Sequence, residues 1–270
     1  MPFLLHPPTG YLDLMEEVLA ARRKVVTVGV EMETAGWELE FHSHQKAQLM
    51  LSLAGVGTCE AEGGIWLVPP QSAVFVPGGM MHRVTTAGRI EGYAVFIEPD
   101  ETRALPSKCT TIAVNPLLRE LIIRSAHFPA NYTQGGRESH VTTLLLDEIS
   151  TAPIGGLHLP MPSDPRLRAI FEGMTRNPSD RGTIESWARR VGFSKRTLAR
   201  VIAAETGMSF GRWRQQLNII LALQWMAEGS TVQQAALDLG YESVGSFVTM
   251  FRKALGTSPA RYMAERSGTH

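Results

Sequence analysis

The sequence contains little cysteine, with only Cys59 and Cys109 among 270 residues. They form no CxxC pair and no zinc-binding spacing, which argues against a disulfide-rich secreted scaffold and predicts a reduced, cytoplasmic chain. No segment approaches the roughly 18 consecutive apolar residues of a transmembrane helix, so we expect no membrane partner. The start of the chain lacks a basic region and a long apolar run, and we expect no signal peptide there.

The sequence also has no net charge, because 26 basic residues balance 26 acidic ones. The charges are, however, distributed unevenly along the chain. Residues 1–162 hold 11 basic and 17 acidic side chains, whereas residues 163–270 hold 15 basic and 9 acidic ones. Such asymmetry indicates a basic, nucleic-acid-binding part joined to an acidic part of another kind.

The first hundred residues are rich in short β-type segments. Glycine and proline separate these segments, which favours a barrel or a double-sheet sandwich. The segments are Val25–Val30, Gln48–Leu53, Ile65–Val68, Ala73–Val76 and Tyr93–Ile97. After Pro99 we expect no further strands but two amphipathic helices, at 117–125 and 141–151. Residues 152–165 hold four prolines and two glycines and are predicted to be a linker.

The basic part contains an internal repeat of apolar positions. One copy begins at Ile184 and the other at Val232. In both, apolar residues follow at +3, +4 and +7 and a glycine at +8, which is Gly192 or Gly240. Glycine tolerates the positive φ at which a helix ends, and the serine that follows it can cap the next helix. Each copy therefore predicts two helices joined by a tight turn.

These copies predict helix-turn-helix units at about residues 184–206 and 232–255. A connecting helix over Phe210–Glu228 would span roughly 27 Å at 1.5 Å per residue. This length suits two recognition helices in successive major grooves, about 34 Å apart. One such pattern also occurs in helical proteins that bind no DNA, whereas a doubled copy in the basic part favours DNA binding.

Longer motifs in the repeat resemble the AraC/XylS family of transcriptional regulators. The motifs are Gly192–Arg200 and Glu205–Phe210 in the first unit, and Gly240–Ser243 and Phe251–Pro259 in the second. The whole chain further resembles a subgroup with an N-terminal cupin-like sensor domain, which includes a regulator of nitroimidazole export. The resemblance implies an α+β two-domain fold, with a cupin-like β-barrel or jelly roll followed by an all-α domain that carries two helix-turn-helix units.

We therefore expect three regions along the chain. Residues 1–100 form a cupin-like sensor or effector domain, residues 101–163 a helical dimerisation and linker region, and residues 164–266 the DNA-binding domain. The expected partners are double-stranded promoter DNA, a small-molecule effector, a second copy of the chain in a homodimer and, for an activator, RNA polymerase. No catalytic residue is expected.

The first recognition helix offers cations on the face opposite its apolar stripe. Arg196 and Arg200 are predicted to contact bases, because arginine pairs bidentately with guanine and both positions resemble base-contacting positions of the family. We assign phosphate or mixed contacts to Lys195 and Thr197, and Ser194 is a further candidate DNA contact. The alternative is that these side chains form only a solvated surface.

The second recognition helix lacks a long hydrogen-bonding side chain on its outward face. Its candidate DNA contacts are Ser243, Val244, Ser246, Thr249, Arg252 and Lys253. Val244 suits apolar contact with a thymine methyl group, and the two cations suit the phosphate backbone. We expect the first unit to set most of the sequence preference.

The acidic part carries two segments that resemble the cupin metal-binding motifs. His42, His44 and Gln48 follow the spacing of the first motif, and His82 closes the second. Three imidazoles and one oxygen donor suit a divalent first-row metal, although no cofactor is required for DNA binding. HxH on a strand also places both histidines on one face by alternation alone, so packed histidines at a barrel mouth are the other interpretation.

Three departures from the cupin motifs bear on the enzymatic alternative, a metal-dependent dioxygenase or isomerase with an accessory helical domain. Gln48 stands where cupin enzymes usually carry glutamate, Thr86 replaces an asparagine, and Gln71 replaces a glycine. A neutral amide is a weaker metal ligand than a carboxylate. The departures therefore favour a sensor over an enzyme.

Overall fold

The computed structural model describes residues 4–5, 11–32, 37–155 and 158–266. These residues form two compact units. The first holds the described residues up to 62 and from 66 to 155, and the second holds residues 63–65 and 158–265. A sheet-rich first unit and a helical second unit confirm the predicted α+β organisation. Within the described residues, no helix combines the length and apolar character needed to cross a membrane.

The first unit is built on strands that pair mainly antiparallel. Its strands are β1 (Leu4–Leu5), β2 (Val25–Met32), β3 (Glu38–His42), β4 (Ala47–Ala61), β5 (Gly64–Val68), β6 (Ser72–Val76), β7 (His82–Ile97) and β8 (Thr110–Ala113). Its helices are α1 (Tyr11–Ala20), α2 (Pro116–Ser125) and α3 (Arg137–Thr151), with a 3₁₀ turn at Pro99–Glu101.

Strands β4 and β7 form the longest strand pair of this unit, which we call the spine. They pair from Ala47 opposite Ile97 to Ala61 opposite His82, with register shifts near Ala54. The shifts coincide with Gly55, whose φ is 74° and whose added Cβ would lie 2.2 Å from the carbonyl oxygen of Arg89. Such a glycine bulge bends a strand pair. One end of the spine is flanked by β2 and β6, and the other end by β3.

The expectation that strands end at Pro99 was wrong. Strand β8 pairs with β6 from Thr110 opposite Phe75 to Ala113 opposite Ser72. Its four residues are too few to show a period of two in the sequence. The segments predicted at Gln48–Leu53 and Tyr93–Ile97 are parts of much longer strands. The rest of each strand contains glycine and threonine, and it is held in the sheet by backbone hydrogen bonds to neighbouring strands.

Helices α2 and α3 cover one face of the sheet. Leu118, Ile122 and Leu145 are fully buried there against a cluster that includes Leu49 and Phe75. Asn115 caps α2 by accepting a hydrogen bond from the Leu118 amide. The two predicted amphipathic helices are thereby present, and they complete the core of the first unit.

From residue 158 onward the second unit begins with the short strand β9 (His158–Pro160) and is otherwise helical. Its helices are α4 (Pro165–Arg176), α5 (Ile184–Arg190), α6 (Lys195–Thr206), α7 (Phe210–Ala227), α8 (Val232–Asp238), α9 (Val244–Leu255) and α10 (Pro259–Arg266). Asp164 caps α4 and Pro165 occupies its first turn, as the sequence predicts. Trp213 is completely buried in α7.

The last part of the predicted linker is tied to this unit. The indole nitrogen of Trp213 donates to the carbonyl oxygen of Pro160 over 2.9 Å. Glu205 Oε2 accepts from the Ser163 amide at 2.6 Å and from the Asp164 amide at 3.2 Å. Residues 158–164 are therefore fixed against α6 and α7, although their composition suggests a loose connection.

Candidate DNA-recognition helices and histidine cluster

The first helix-turn-helix consists of α5 and α6. Thr183 caps α5, which ends at Arg190, and the chain then turns at Gly192, whose φ is 71°. The amide of Phe193 then donates to the carbonyl oxygen of Ala188 over 2.8 Å, which closes the turn as in a Schellman motif. Ser194 caps α6 by accepting from the Thr197 amide. The order of glycine and serine thus has the physical role inferred from the repeat.

The second helix-turn-helix repeats this arrangement in α8 and α9. Thr231 caps α8, Gly240 again has a φ of 71°, and Ser243 caps α9. The Tyr241 amide donates to the carbonyl oxygen of Ala236 over 2.9 Å, which matches the contact in the first unit. Both predicted units are present with the same types of cap and the same contact after the glycine, although the second turn is one residue longer.

Helix α6 buries its apolar stripe and exposes its cations. Leu198 and Ile202 are fully buried, whereas Arg196 and Arg200 are exposed. Among the described residues, no carboxylate forms an ion pair with either arginine. Both guanidinium groups are therefore available to a polyanion that approaches this face.

The other candidates of the first unit are already engaged. Lys195 Nζ lies 2.5 Å from Glu185 Oε1 in an exposed ion pair. The Thr197 hydroxyl lies 2.9 Å from that of Ser194, and the Thr197 amide donates to the same oxygen. Ser194 and Thr197 thus stabilise the start of α6, whereas Lys195 can exchange its partner because exposed ion pairs contribute little to stability.

Helix α9 exposes every predicted contact residue. These residues are Ser243, Val244, Ser246, Thr249, Arg252 and Lys253. Val244 is 36% exposed although it is apolar, and the Ser246 hydroxyl donates to the backbone carbonyl of Ser243. Phe247 and Phe251 are fully buried on the opposite face. The outward face of α9 is therefore short, weakly polar and cationic only near its last turn.

The loop at residues 177–183, which the sequence did not single out, connects the two helix-turn-helix units. Arg181 lies over the Tyr241 ring at 4.3 Å, and Arg214 Nη1 donates to the carbonyl oxygen of Gly182 at 2.7 Å. A Cβ at Gly240 would lie 2.4 Å from the carbonyl oxygen of Ser179, whereas one at Gly192 would meet no atom within 4 Å. Burial lowers the pKa of Arg214, but a guanidinium remains charged at neutral pH. Arg181 and Arg214 therefore stabilise the packing of this loop, and composition alone cannot distinguish such arginines from those that contact DNA.

The structure also brings together the four residues predicted to bind a metal. His42 at the end of β3 faces His82 at the start of β7 in the strand register, with ring centroids 4.3 Å apart. His44 lies 5.3 Å from His82 by the same measure. One ring nitrogen from each histidine falls within 4.8 Å of the others. The Gln48 Oε1 lies 3.2 Å from the Nε2 atoms of both His44 and His82.

Backbone carbonyl groups orient all three imidazoles in the same way. The Nδ1 atoms of His42, His44 and His82 lie 2.8, 2.7 and 2.9 Å from the carbonyl oxygens of Glu40, Lys46 and Met80. A carbonyl oxygen accepts only, so each Nδ1 carries the hydrogen and each Nε2 presents a lone pair. Burial lowers the pKa of His44, and it lowers that of His82 to about 4, so both rings are neutral at neutral pH.

This arrangement places several hydrogen-bond acceptors close together with no hydrogen-bond donor between them. The Nε2 atoms and the Gln48 oxygen face one another, and backbone contacts at Nδ1 are the usual support for metal-ligating histidines. A cation that accepts these lone pairs fits the site. Neutral packing of the three rings is the alternative, and it requires the Gln48 amide to be rotated so that its NH₂ group donates to the imidazoles.

Two family models match the chain. The model described as an AraC-like ligand binding domain matches residues 25–188, and a helix-turn-helix domain model matches residues 187–265. The HTH-type transcriptional regulator NimR of Escherichia coli is 42% identical over 83% of this chain and 81% of its own length. RipA of Corynebacterium glutamicum, another HTH-type transcriptional regulator, is 28% identical over 47% of this chain and 37% of its own. A solved structure of ToxT from Vibrio cholerae aligns with 91% of this chain and 100% of its own, at a TM-score of 0.40 and 11% identity.

Proposed function

The chain belongs to the AraC family of helix-turn-helix transcriptional regulators, and on that premise we propose that α6 and α9 enter the major groove of double-stranded promoter DNA. The observation that carries the proposal is the duplicated unit, in which each serine-capped second helix exposes the face opposite its buried stripe. Family membership makes the chain a regulator and not an enzyme. The metal-dependent cupin enzyme is therefore set aside.

The two recognition helices have different roles in this proposal. Arg196 and Arg200 supply base contacts, because their guanidinium groups are exposed and have no carboxylate partner among the described residues. Lys195, Arg252 and Lys253 contact phosphates, which position the protein without reporting the sequence. Sequence preference then comes mainly from α6, and α9 adds apolar contact through Val244.

A binding titration tests this division of roles. The promoter region upstream of the gene and a scrambled duplex are titrated with the full chain by fluorescence anisotropy at several salt concentrations. We expect affinity to fall steeply with salt, because each neutralised phosphate contributes a slope of about −0.9. Arg200→Ala should remove about 1–3 kcal/mol of preference for the promoter.

Arg176→Ala is the matched control, since Arg176 is an exposed arginine in the last turn of α4. It removes the same charge from the same unit but lies outside both recognition helices. The control should leave the preference unchanged. An equal loss on promoter and scrambled DNA for Arg200→Ala would contradict a role in base contact, and binding that does not change with salt would contradict DNA binding altogether.

We further propose that the first unit binds a small effector and holds a divalent metal at His42, His44, His82 and Gln48. The support for the metal is the set of converging Nε2 lone pairs, each held by a backbone carbonyl group on the opposite ring nitrogen. Imidazole and amide donors together suit a first-row transition metal more than calcium or magnesium. When bound, the metal would supply a Lewis-acidic centre at this site in the first unit.

Metal analysis of the full chain tests this part. Protein purified without chelator should contain about one equivalent of metal, as expected for one site with this donor set. His82→Ala should reduce the metal content to background, whereas His140→Ala, on the exposed face of α3, should leave it unchanged. Equal metal content in both variants would mean that the metal is bound elsewhere, and a metal-free wild type that takes up none of the added metals would favour packed histidines.

Dimerisation, RNA polymerase contact and location are also proposals. The exposed Leu117 and Leu144 on α2 and α3 support a homodimer through these helices. Light scattering of the full chain measures its mass directly, and a monomer at all concentrations would contradict the homodimer. Contact with RNA polymerase follows if the protein activates transcription. Access to promoter DNA supports a cytoplasmic location.

A further inference from the structure

A cavity of about 100 Å³ lies inside the first unit. Its walls come largely from β4 and β7, and its apolar lining includes Trp37, Met50, Val84, Ile90 and Phe96. Water fills such a space poorly, because an apolar wall offers few hydrogen-bond partners. The volume is smaller than the roughly 150 Å³ of an engineered apolar cavity that binds benzene, so it limits a ligand to about one small ring.

Two polar side chains of the lining already have backbone partners. The Ser52 hydroxyl is directed at the carbonyl oxygens of Ala54 and Gly55, and the Thr86 hydroxyl donates to the carbonyl oxygen of Trp37. None of the lining residues that the structure describes is charged. A ligand that carried a full charge into this space would lose its hydration without gaining a counter-ion, which is strongly unfavourable.

Gln48 and Phe96 connect the cavity to the histidine cluster. Both residues line the cavity. The Gln48 Oε1 contacts Nε2 of His44 and His82, and the Phe96 ring lies edge-on to His44 with centroids 5.5 Å apart. A molecule in the cavity can therefore reach the Gln48 amide with one end, while the rest of it contacts only apolar groups.

We propose that this cavity binds a small, uncharged, largely apolar molecule with a single hydrogen-bonding group, which is placed against Gln48 beside the histidine cluster. The inference rests on the proposed sensor role of the first unit and names the chemical class of its effector. It also places the polar end of the effector next to the group proposed to hold a metal. Sugars and carboxylates are thereby excluded as effectors in this site.

Calorimetric titration of the full chain with four ring probes tests the class. Phenol is neutral with one polar group, toluene is neutral with none, N-methylpyridinium is a cation of the same shape as toluene, and benzoate is an anion. We expect phenol to bind most tightly, toluene more weakly, and both ions at least about tenfold more weakly than phenol, because burial of an unpaired charge is unfavourable. Ionic probes that match phenol, or neutral probes that do not bind, would overturn the proposal.

Substitutions at Gly57 and Gln48 locate the binding. A Cβ at Gly57 would lie 3.6 Å from the Val68 Cβ, an ordinary contact, so Gly57→Ala should fold and keep phenol binding. Gly57→Leu fills the cavity and should abolish it. Gln48→Met keeps the shape but removes the amide, so phenol should lose its advantage over toluene. Phenol binding that survives both Gly57→Leu and Gln48→Met would place the ligand elsewhere and refute the inference.

DNA binding measured on the same samples separates this inference from the proposed function. Gly57→Leu should bind promoter DNA like the wild type while it fails to bind phenol, which also shows that it is folded. If the wild type binds phenol but no DNA, the function proposal fails and the ligand class stands. If it binds DNA but no neutral probe, the ligand class fails and the regulator stands.

Discussion

The turn glycines of the two helix-turn-helix units offer a matched pair of substitutions. Gly192 and Gly240 occupy the same position in the repeat and have the same φ of 71°. Their surroundings differ, because an added Cβ at Gly192 meets no atom within 4 Å, whereas at Gly240 it would lie 2.4 Å from the carbonyl oxygen of Ser179. Replacing each by alanine separates the backbone penalty from the packing penalty.

The expected magnitudes follow from these two terms. Alanine at positive φ costs about 1–2 kcal/mol, and Gly192→Ala should lose only this amount. At Gly240 the backbone of the loop at residues 177–183 must also move, and overpacking of that kind costs typically about 1–3 kcal/mol more. Gly240→Ala should therefore lose about 2–5 kcal/mol in total.

Hydrogen-exchange mass spectrometry of the full chain resolves the two losses, because it reports local opening in each helix pair separately. Each substitution should raise the exchange rate in its own helix pair, residues 184–206 for Gly192→Ala and residues 232–255 for Gly240→Ala. We expect the increase to be about tenfold or more larger for Gly240→Ala, since about 1.4 kcal/mol corresponds to a factor of ten. Promoter affinity should fall further in Gly240→Ala, because the contact with Ser179 helps to position α9 relative to α6. Equal effects of the two substitutions would refute the packing argument.

Three further predictions concern contacts of the second unit. Glu205→Gln should lower the free energy of unfolding, measured by urea titration, by about 1 kcal/mol, because a neutral amide oxygen accepts weaker hydrogen bonds from the Ser163 and Asp164 amides. Glu172→Gln, on the exposed face of α4, is the control and should have no effect. Lys195→Met should change the free energy of unfolding by less than about 1 kcal/mol, because the ion pair of Lys195 with Glu185 is exposed. It should nevertheless reduce the salt dependence of DNA binding by the equivalent of about one phosphate contact. An unchanged slope would mean that Lys195 does not contact the DNA. Phe247→Ala should destabilise the second unit by about 3–5 kcal/mol, because its ring is fully buried, and a loss below about 1 kcal/mol would mean that the core of α8 and α9 is looser than described.

Much of the second unit could be predicted from the sequence because its determinants are local. Serine caps, helix-ending glycines and the 3.6-residue apolar period act within one or two turns, so the repeat at Ile184 and Val232 specified both helix pairs. The exposed face of α6 followed from the same periodicity. The assignment of individual DNA contacts on that face stays a prediction.

The first unit was only partly predictable because sheet pairing is long-range. Residues 54–61 and 82–92 lie outside the strands predicted from the sequence, yet they continue the two longest strands, since β4 and β7 supply each other's hydrogen bonds. The histidine spacing indicated a shared site in advance. That His42 and His82 face each other depends on the register of β3 with β7.

The sequence by itself determined the family, the duplicated helix-turn-helix units and the division between an acidic and a basic part, since these depend on residue types and short spacings. Only the tertiary structure decided which arginines hold the loop at residues 177–183 and which face outward, because that depends on partners far away in the chain. It also decided that Gly240 is closely packed while Gly192 is open, and that an uncharged cavity adjoins the histidine cluster. Local chemistry specifies the elements, whereas burial and distant neighbours assign the role of each side chain.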